Sequence, residues 1–252
     1  MHKILALWGT PRSTSTAFEW MMRMRGDMTC FHEPFGEPWY QGEEPMWPRI
    51  KPDSPRIKGL TFDSVWRTLK DAARISPVFI KDFPPYIEHH WSDDFLAHFR
   101  HSFLIRDPAK VATSMYKHWP DFHLKEIAFV EQRALFDRLF EQTGNAPAVI
   151  DSDDLLENPH GVVEAYSRSV GIPYMPESLS WDPGAREEVS WYDSGSWHAN
   201  LRDSDGLKSQ PRSYIDISDA PDRVKQIYEI CLPHYEHLYQ YRLNATMASV
   251  SV

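Results

Sequence analysis

The apolar positions of this chain follow two rhythms. Short, nearly unbroken hydrophobic runs lie at Ile4–Trp8, Met28–Phe31, Val78–Lys81, Phe103–Arg106 and Ala148–Asp151. Runs of that length without alternation are what strands buried on both faces look like. Between them apolar residues recur at helical spacing. Glu19–Arg25 continues a helix that follows the first run, and Phe62–Ile75 places Phe62, Val65, Trp66, Leu69 and Ala73 on one side. Lys125–Phe140 does the same with Ile127, Val130, Ala134, Leu135 and Leu139. Val162–Val170 is a further helix, with Asp153 as a capping residue upstream and Gly171-Ile172-Pro173 closing it. Ala220–Tyr241 reads as a C-terminal helix with a break at Pro233. Strands alternating with helices predict an α/β chain in three α/β/α layers, with a central parallel sheet of about five strands. Ligands of such sheets sit at the carboxyl ends of the strands.

Composition narrows this picture. A chain of 252 residues suits one substantial core, so a single domain over 1–252 is expected. A hydrophobic fraction of 42% with 13% aromatics favours a folded globule. The net charge of −9 disfavours nucleic acid and anionic membranes as partners. Only Cys30 and Cys231 occur, without the spacing of a metal site or disulfide framework. No apolar run approaches membrane-spanning length, and the first strand leads into a functional loop rather than a signal-peptide cleavage site. The expectation is a cytoplasmic protein. From Tyr174 to Ser213 periodicity fades while Pro, Gly, Ser and Trp accumulate, the look of a lid or binding loop.

Two strand-to-helix junctions carry chemistry. The first is Gly9-Thr10-Pro11-Arg12-Ser13-Thr14-Ser15-Thr16, after which Ala17-Phe18-Glu19-Trp20 turns helical. A small, hydroxyl-rich turn there aims backbone N–H groups at one point, the helix N-terminus adds positive potential, and Arg12 adds a full charge. It is an anion site by construction but not a Walker A loop, because Gly-Lys-Ser/Thr is absent. The second junction is Arg106-Asp107-Pro108, with Ser114 eight positions beyond Arg106 on the following helix. A guanidinium fork and a hydroxyl one or two turns along can grip the same phosphate.

Taken together, these junctions resemble the PAPS-dependent sulfotransferases. That family carries Pro-Lys/Arg-Ser-x-Ser/Thr-Thr after its first strand, matched here by Pro11 to Thr16. It also places an Arg at a later strand end with a Ser eight residues on, matched by Arg106 and Ser114. The resemblance implies a P-loop-like sulfotransferase fold closer to bacterial small-molecule members than to animal cytosolic ones. It implies 3′-phosphoadenosine-5′-phosphosulfate (PAPS) as sulfuryl donor, PAP as product and no metal. Arg12, Ser13, Thr14, Ser15 and Thr16 are then the phosphosulfate contacts, Arg12 also standing beside the bridging oxygen as a catalytic charge, and Arg106 with Ser114 the 3′-phosphate contacts. The segment Val149 to Pro159 is similar to another family region and supports the fold without naming a site. The family's late Arg-Lys-Gly signature is not found in its usual form, so Arg202 and Lys208 are weak choices as ligands.

Lys81, in Phe79-Ile80-Lys81-Asp82-Phe83-Pro84-Pro85, matches a second family lysine. Two residues on, Phe83 stands where animal members have their histidine base, and it cannot take a proton. The resemblance to bacterial trehalose-modifying members, which use a Glu just after this strand, points instead to Glu33, in Cys30-Phe31-His32-Glu33-Pro34; His32 is the next candidate, with Asp82, His118, His123 or no protein base behind. Trp39, Tyr40, Trp47, Trp66, Trp119, Trp191, Tyr192 and Trp197 are enough aromatics to line an acceptor pocket. In an acidic chain a neutral or cationic small molecule, accepting on a hydroxyl or amine, is the expected acceptor. The rivals are a nucleotide phosphotransferase on the same architecture and a non-catalytic PAP-binding protein. The residues do not specify an oligomeric state.

Overall fold

The computed structural model describes residues 2–47, 56–184, 187–189, 199–209 and 215–245. In chain order its elements are β1 (Ile4–Trp8), α1 (Ser15–Met24), β2 (Thr29–His32), α2 (Gly36–Gln41), α3 (Phe62–Ile75), β3 (Val78–Asp82) and a 3-10 turn (Pro84–His90). There follow α4 (Asp93–Leu96), β4 (Phe99–Ile105), α5 (Pro108–His118), α6 (Leu124–Ile127), α7 (Phe129–Thr143) and β5 (Ala148–Asp151). The chain closes with α8 (Ser152–Glu157), α9 (Pro159–Val170), α10 (Ala199–Arg202) and α11 (Asp222–Tyr239). The strands form one five-stranded sheet in the order β2-β3-β1-β4-β5, every pair parallel. This is the α/β sheet the sequence predicts.

Burial on both faces explains the unbroken apolar runs. Trp8, Ile80, Phe103 and Val149 pack on one face with Phe35, Leu135 and Leu238. Leu7, Phe79, Leu104 and Ile150 pack on the other with Phe18, Met22, Val163 and Tyr166. At about 25 cal/mol per Å² of apolar surface removed from water, these two layers hold the fold together. Gln132, on α7, is buried, and its amide donates to Trp8 O (2.9 Å) and Leu104 O (3.0 Å).

The elements differ from the predicted ones in three instructive places. The stretch read as one helix over Lys125–Phe140 is two, because Ala128 turns to φ 68°. That break resets the helical phase, so Phe129, Gln132, Leu135, Phe136 and Leu139 face inward while Ala134 is exposed. At the C-terminus α11 runs on through Pro233 without a break. Pro233 lies on the exposed side, where water can satisfy the carbonyl it deprives of a partner, while Cys231 and Leu238 anchor the buried side. Finally, Asp151 rather than Asp153 caps α8, accepting from Asp153 N (2.9 Å) and Asp154 N (3.1 Å); Asp153 pairs with Lys110 (2.5 Å).

The irregular stretch after Tyr174 is pinned where it is described. Ser180 and Gly206 form an antiparallel bridge, Trp181 Nε1 donates to Ser204 Oγ (3.1 Å), and Leu179, Trp181, Leu201 and Leu207 join the core on the α1 and α9 side. Trp191, Tyr192, Trp197 and His198 lie outside the described residues. Among the described residues, no helix is long and apolar enough to cross a membrane. No group of three or more His, Cys, Asp or Glu side chains there is placed to hold a metal ion.

Candidate active site

The strand order puts β1 between β3 and β4, so the loops leaving those three strands, and the one leaving β2, open at one end of the sheet. Arg12 and Ser13 to Thr16 follow β1, Glu33 follows β2, Lys81 lies near the end of β3, and Arg106 follows β4 with Ser114 on the next helix.

The loop from β1 to α1 is an anion cradle in its backbone. Arg12 (φ 61°) and Thr14 (φ 72°) take left-handed conformations on either side of Ser13. Non-glycine residues accept such angles at a cost of roughly 1–2 kcal/mol each, and alternation of this kind turns successive N–H groups to a common point. Ser13 Oγ donates to Thr10 O (2.6 Å), tightening the turn, and Thr14 Oγ1 meets Ser152 Oγ (2.8 Å), tying the loop to α8. Ser15 and Thr16 open α1, whose first turn has no side-chain cap to satisfy its N–H groups. Gly9 is needed for close approach: a Cβ there would sit 3.3 Å from Ser15 Cβ and 3.5 Å from the Phe83 ring. Thr10 Oγ1 is fully buried with no hydrogen-bond partner among the described residues.

Arg12, Arg106 and Ser114 form one cluster. Arg12 Nε donates to Ser114 Oγ (3.0 Å), and Arg106 Nη1 donates to Arg12 O (2.7 Å). Asp107 positions the second junction by capping α5, where its carboxylate accepts from Ala109 N (2.8 Å). The Arg12 guanidinium also faces His118, one turn past Ser114. Burial, then Arg12 and Lys117, hold that imidazole below its usual range. The guanidinium expected beside the transferred group thus leans toward the α5 side.

Lys81 and Glu33 form the second cluster. Lys81, fully buried at the end of β3, gives its ammonium to Glu33 Oε1. Glu33 N donates to Lys81 O (2.8 Å), continuing the β2–β3 ladder one residue beyond β2. There the chain turns sharply, with Glu33 at φ 44° although Pro34 follows it. Asp82 holds that turn, since one carboxylate oxygen accepts from Phe35 N (2.8 Å) and the other from Phe83 N (3.0 Å). Burial pushes the Asp82 carboxyl well above its usual range, against those two N–H groups and Lys81. With both oxygens committed to backbone, Asp82 is a scaffold for Glu33. Phe83 covers the pair, with Lys81 Nζ 4.9 Å from its ring centroid.

Behind Glu33 stands His32, its Nε2 3.8 Å from Glu33 Oε1 and its Nδ1 2.6 Å from Glu19 Oε2. Glu19, fully buried on α1, also pairs with Arg23 (2.9 Å). Burial alone raises the Glu19 carboxyl, but His32, Lys81 and Arg23 together bring it below its usual range. Sequence reading passed over Glu19 because a glutamate in a helix reads as a solvated charge; its (i, i+4) spacing to Arg23 was the available signal.

The aromatic residues expected around an acceptor divide. Trp39 stacks on Trp47 (centroids 5.7 Å apart, 6° between planes), Tyr40 meets Tyr86 and Trp119, and Trp47 meets His123. This group follows directly from Glu33 through α2. Trp66 packs instead on Phe95 and Phe99 and is core. Arg202 and Lys208 are exposed and pair with Asp203 and Asp205.

The chain is 23% identical over 245 residues to branched-chain-amino-acid aminotransferase-like protein 2 of Arabidopsis thaliana, covering 94% of this chain and 41% of that one. It is 24% identical over 251 residues to the plant's protein 1 of the same name, with 93% and 42% covered. The chain therefore spans about two fifths of the length of these curated relatives. Among solved structures, the sulfotransferase domain from the curacin biosynthetic pathway matches at a TM-score of 0.50 and 12% identity, covering 97% of this chain and 99% of that one. That likeness is one of fold. The family model described as sulfotransferase domain matches residues 2–239, and the chain belongs to that family.

Proposed function

We propose that the protein transfers a sulfuryl group from PAPS to a hydroxyl or amine of a small molecule, in the cytoplasm and without a nucleic-acid or membrane partner. The observation that carries this reading is the pairing of two clusters at one end of the sheet. Arg12, Arg106 and Ser114 offer positive charge and hydrogen bonds to a phosphate, while Lys81 and Glu33 offer an ammonium and a carboxylate side by side. The residues fit a donor that carries two anionic groups. The β1–α1 loop supplies backbone N–H groups, the buried Thr10 hydroxyl has no hydrogen-bond partner among the described residues, and the Arg12 and Arg106 guanidinium groups cluster with Ser114. The donor supplies an activated sulfuryl group on a phosphate leaving group.

The chain's own residues divide the remaining tasks. Arg12, Ser13, Thr14, Ser15 and Thr16 bind the phosphosulfate end, and Arg106 with Ser114 binds the 3′-phosphate. Lys81 places positive charge where the leaving oxygen gains negative charge, a contribution felt most in the transition state. Glu33 takes the acceptor's proton. Trp39, Tyr40, Trp47 and Tyr86 give the acceptor an apolar wall on the Glu33 side.

Phe83, in the place of a family base, favours a second reading in which PAP binds without turnover. Incubation with PAPS carrying labelled sulfate and a library of hydroxyl and amine acceptors separates the two. Labelled product that disappears in Glu33→Gln, with PAP affinity kept, supports sulfuryl transfer. Tight PAP binding with no product from any acceptor supports the binding protein.

A further inference from the structure

We propose that Glu19 is a positioning residue for the proton transfer: it locks His32 with Nδ1–H on its own carboxylate and Nε2 turned to Glu33, making His32 the second station for the acceptor's proton. The inference rests on the sulfuryl-transfer reading above and adds to it a residue that nothing in the nucleotide motifs calls for.

The argument begins from a difficulty at Glu33. A carboxylate in direct contact with a buried ammonium is favoured in its charged form and holds a proton poorly. Lys81 makes that contact, so Glu33 serves best as a first acceptor that passes its proton on. His32 is built to receive it. Its side chain is 3% exposed, and its two nitrogens lie between Glu19 Oε2 at 2.6 Å and Glu33 Oε1 at 3.8 Å. The Arg23 guanidinium, 2.9 Å from Glu19 Oε1, keeps that carboxylate ionised, and an ionised carboxylate only accepts, so Nδ1 must be the donor in that bond. In the neutral ring the lone pair then belongs to Nε2, on the Glu33 side.

The step balances. The acceptor's O–H or N–H bond breaks as Glu33 takes the proton, the acceptor's electron pair forms the bond to sulfur, and the bond between sulfur and the bridging phosphate oxygen breaks, its electron pair leaving with PAP on the Lys81 side. The Glu33 O–H bond then breaks as the His32 Nε2–H bond forms. The imidazolium so created lies against Glu19. Other titratable groups facing this set are Arg23 from α1, Cys30 from β2, Lys81 and Asp82 from β3 and Tyr86 from the following 3-10 turn. Cys30 and Tyr86 are pushed up by burial and are neutral at working pH. The asymmetry that favours movement toward His32 is therefore Glu19 itself.

The test has two readouts. Nitrogen-15 NMR of unliganded protein, with His32 assigned by comparison to His32→Asn, reports the tautomer without requiring turnover. The Nδ1–H form is expected in the wild type and in Glu19→Asp, and the Nε2–H form in Glu19→Gln. In kinetics, Glu19→Gln is expected to lower kcat by about 10²-fold with little change in KM for PAPS. It should also change the pH–rate profile, because Glu19 is in direct contact with the imidazole. Glu19→Gln added to His32→Asn should cost nothing further. Should Glu19→Gln not fold, His32→Asn alone decides, since it must lose the wild-type acidic limb. An Nε2–H His32 in the wild type, or a Glu19→Gln enzyme with wild-type kcat and pH profile, overturns the proposal. A wild type with the expected tautomer but no turnover on any acceptor overturns the sulfuryl-transfer reading instead.

Discussion

At the scale of single residues, Glu33 is held by opposing demands. Its left-handed backbone, immediately before a proline, is one that local preferences resist; Asp82 on one side and Lys81 on the other keep it there. Lys81→Met therefore leaves a buried carboxylate without its ammonium and should destabilise the fold by about 3–5 kcal/mol in urea unfolding. Adding Glu33→Gln to it should recover most of that loss, because no charge then remains unpaired. If the double variant is no more stable than the single one, the pair does not hold this turn. Arg106→Ala should weaken PAP binding by roughly 2–4 kcal/mol, and Ser114→Ala by about 1 kcal/mol, as read by calorimetry. Arg12, Lys81, Glu33 and Arg106 were legible in the sequence because charged residues at or just past the ends of apolar strands have few structural uses, and Ser114 was legible through its spacing from Arg106. Glu19 was hidden, and Asp82 was read as a candidate base and not as a scaffold, since their roles come from what folding brings against them: a histidine from β2 and the backbone of two loops.

At the scale of elements, strands were easier to read than helices. An unbroken apolar run buried on both faces has one interpretation, and β1, β3 and β5 appear within a residue of expectation. Strand β4 begins four residues earlier than its apolar core, because Phe99-Arg100-His101-Ser102 pairs with β1 through backbone bonds that side-chain pattern does not report. Helices were misjudged where a single residue decided. Ala128 breaks α6 from α7 with no glycine or proline to announce it, and Pro233 fails to break α11 because it faces solvent. The latter gives a direct test. Pro233→Ala restores a helical N–H on an exposed face with no packing lost, and should raise stability by about 1–3 kcal/mol. A lower melting temperature would mean that the proline shapes the packing of α11 on α5 and α7.

At the scale of the molecule, one histidine in the sheet couples the fold to pH. His101 on β4 accepts from Trp8 Nε1 (2.9 Å) at Nδ1, so its Nε2–H donates to Leu96 O (3.0 Å). Burial, with Lys3 adding to it and the Leu96 carbonyl opposing, holds the imidazole down at about 4. The unfolded chain takes up that proton near pH 6.5, while the folded chain does not until about pH 4. Stability is therefore full above the unfolded value and falls as pH drops through this window, by up to about 3 kcal/mol. His101→Gln, which can accept and donate in the same places, should flatten that dependence in urea titrations at pH 5 and 7. The global charge of −9 sets the wider electrostatic problem: an anionic donor enters a negative field and needs a local positive site at the end of the sheet. Arg12, Arg106 and Lys81 are placed to provide it, and their meeting at the ends of β1, β4 and β3 is the central claim made testable. Calorimetry of the wild-type protein with PAP and with adenosine 5′-phosphate, at the same salt, measures it most directly. The account predicts that removing the 3′-phosphate costs about 10²-fold or more in affinity and that Arg106→Ala erases the difference. Equal affinity for the two nucleotides, or a preference that survives in Arg106→Ala, would contradict it.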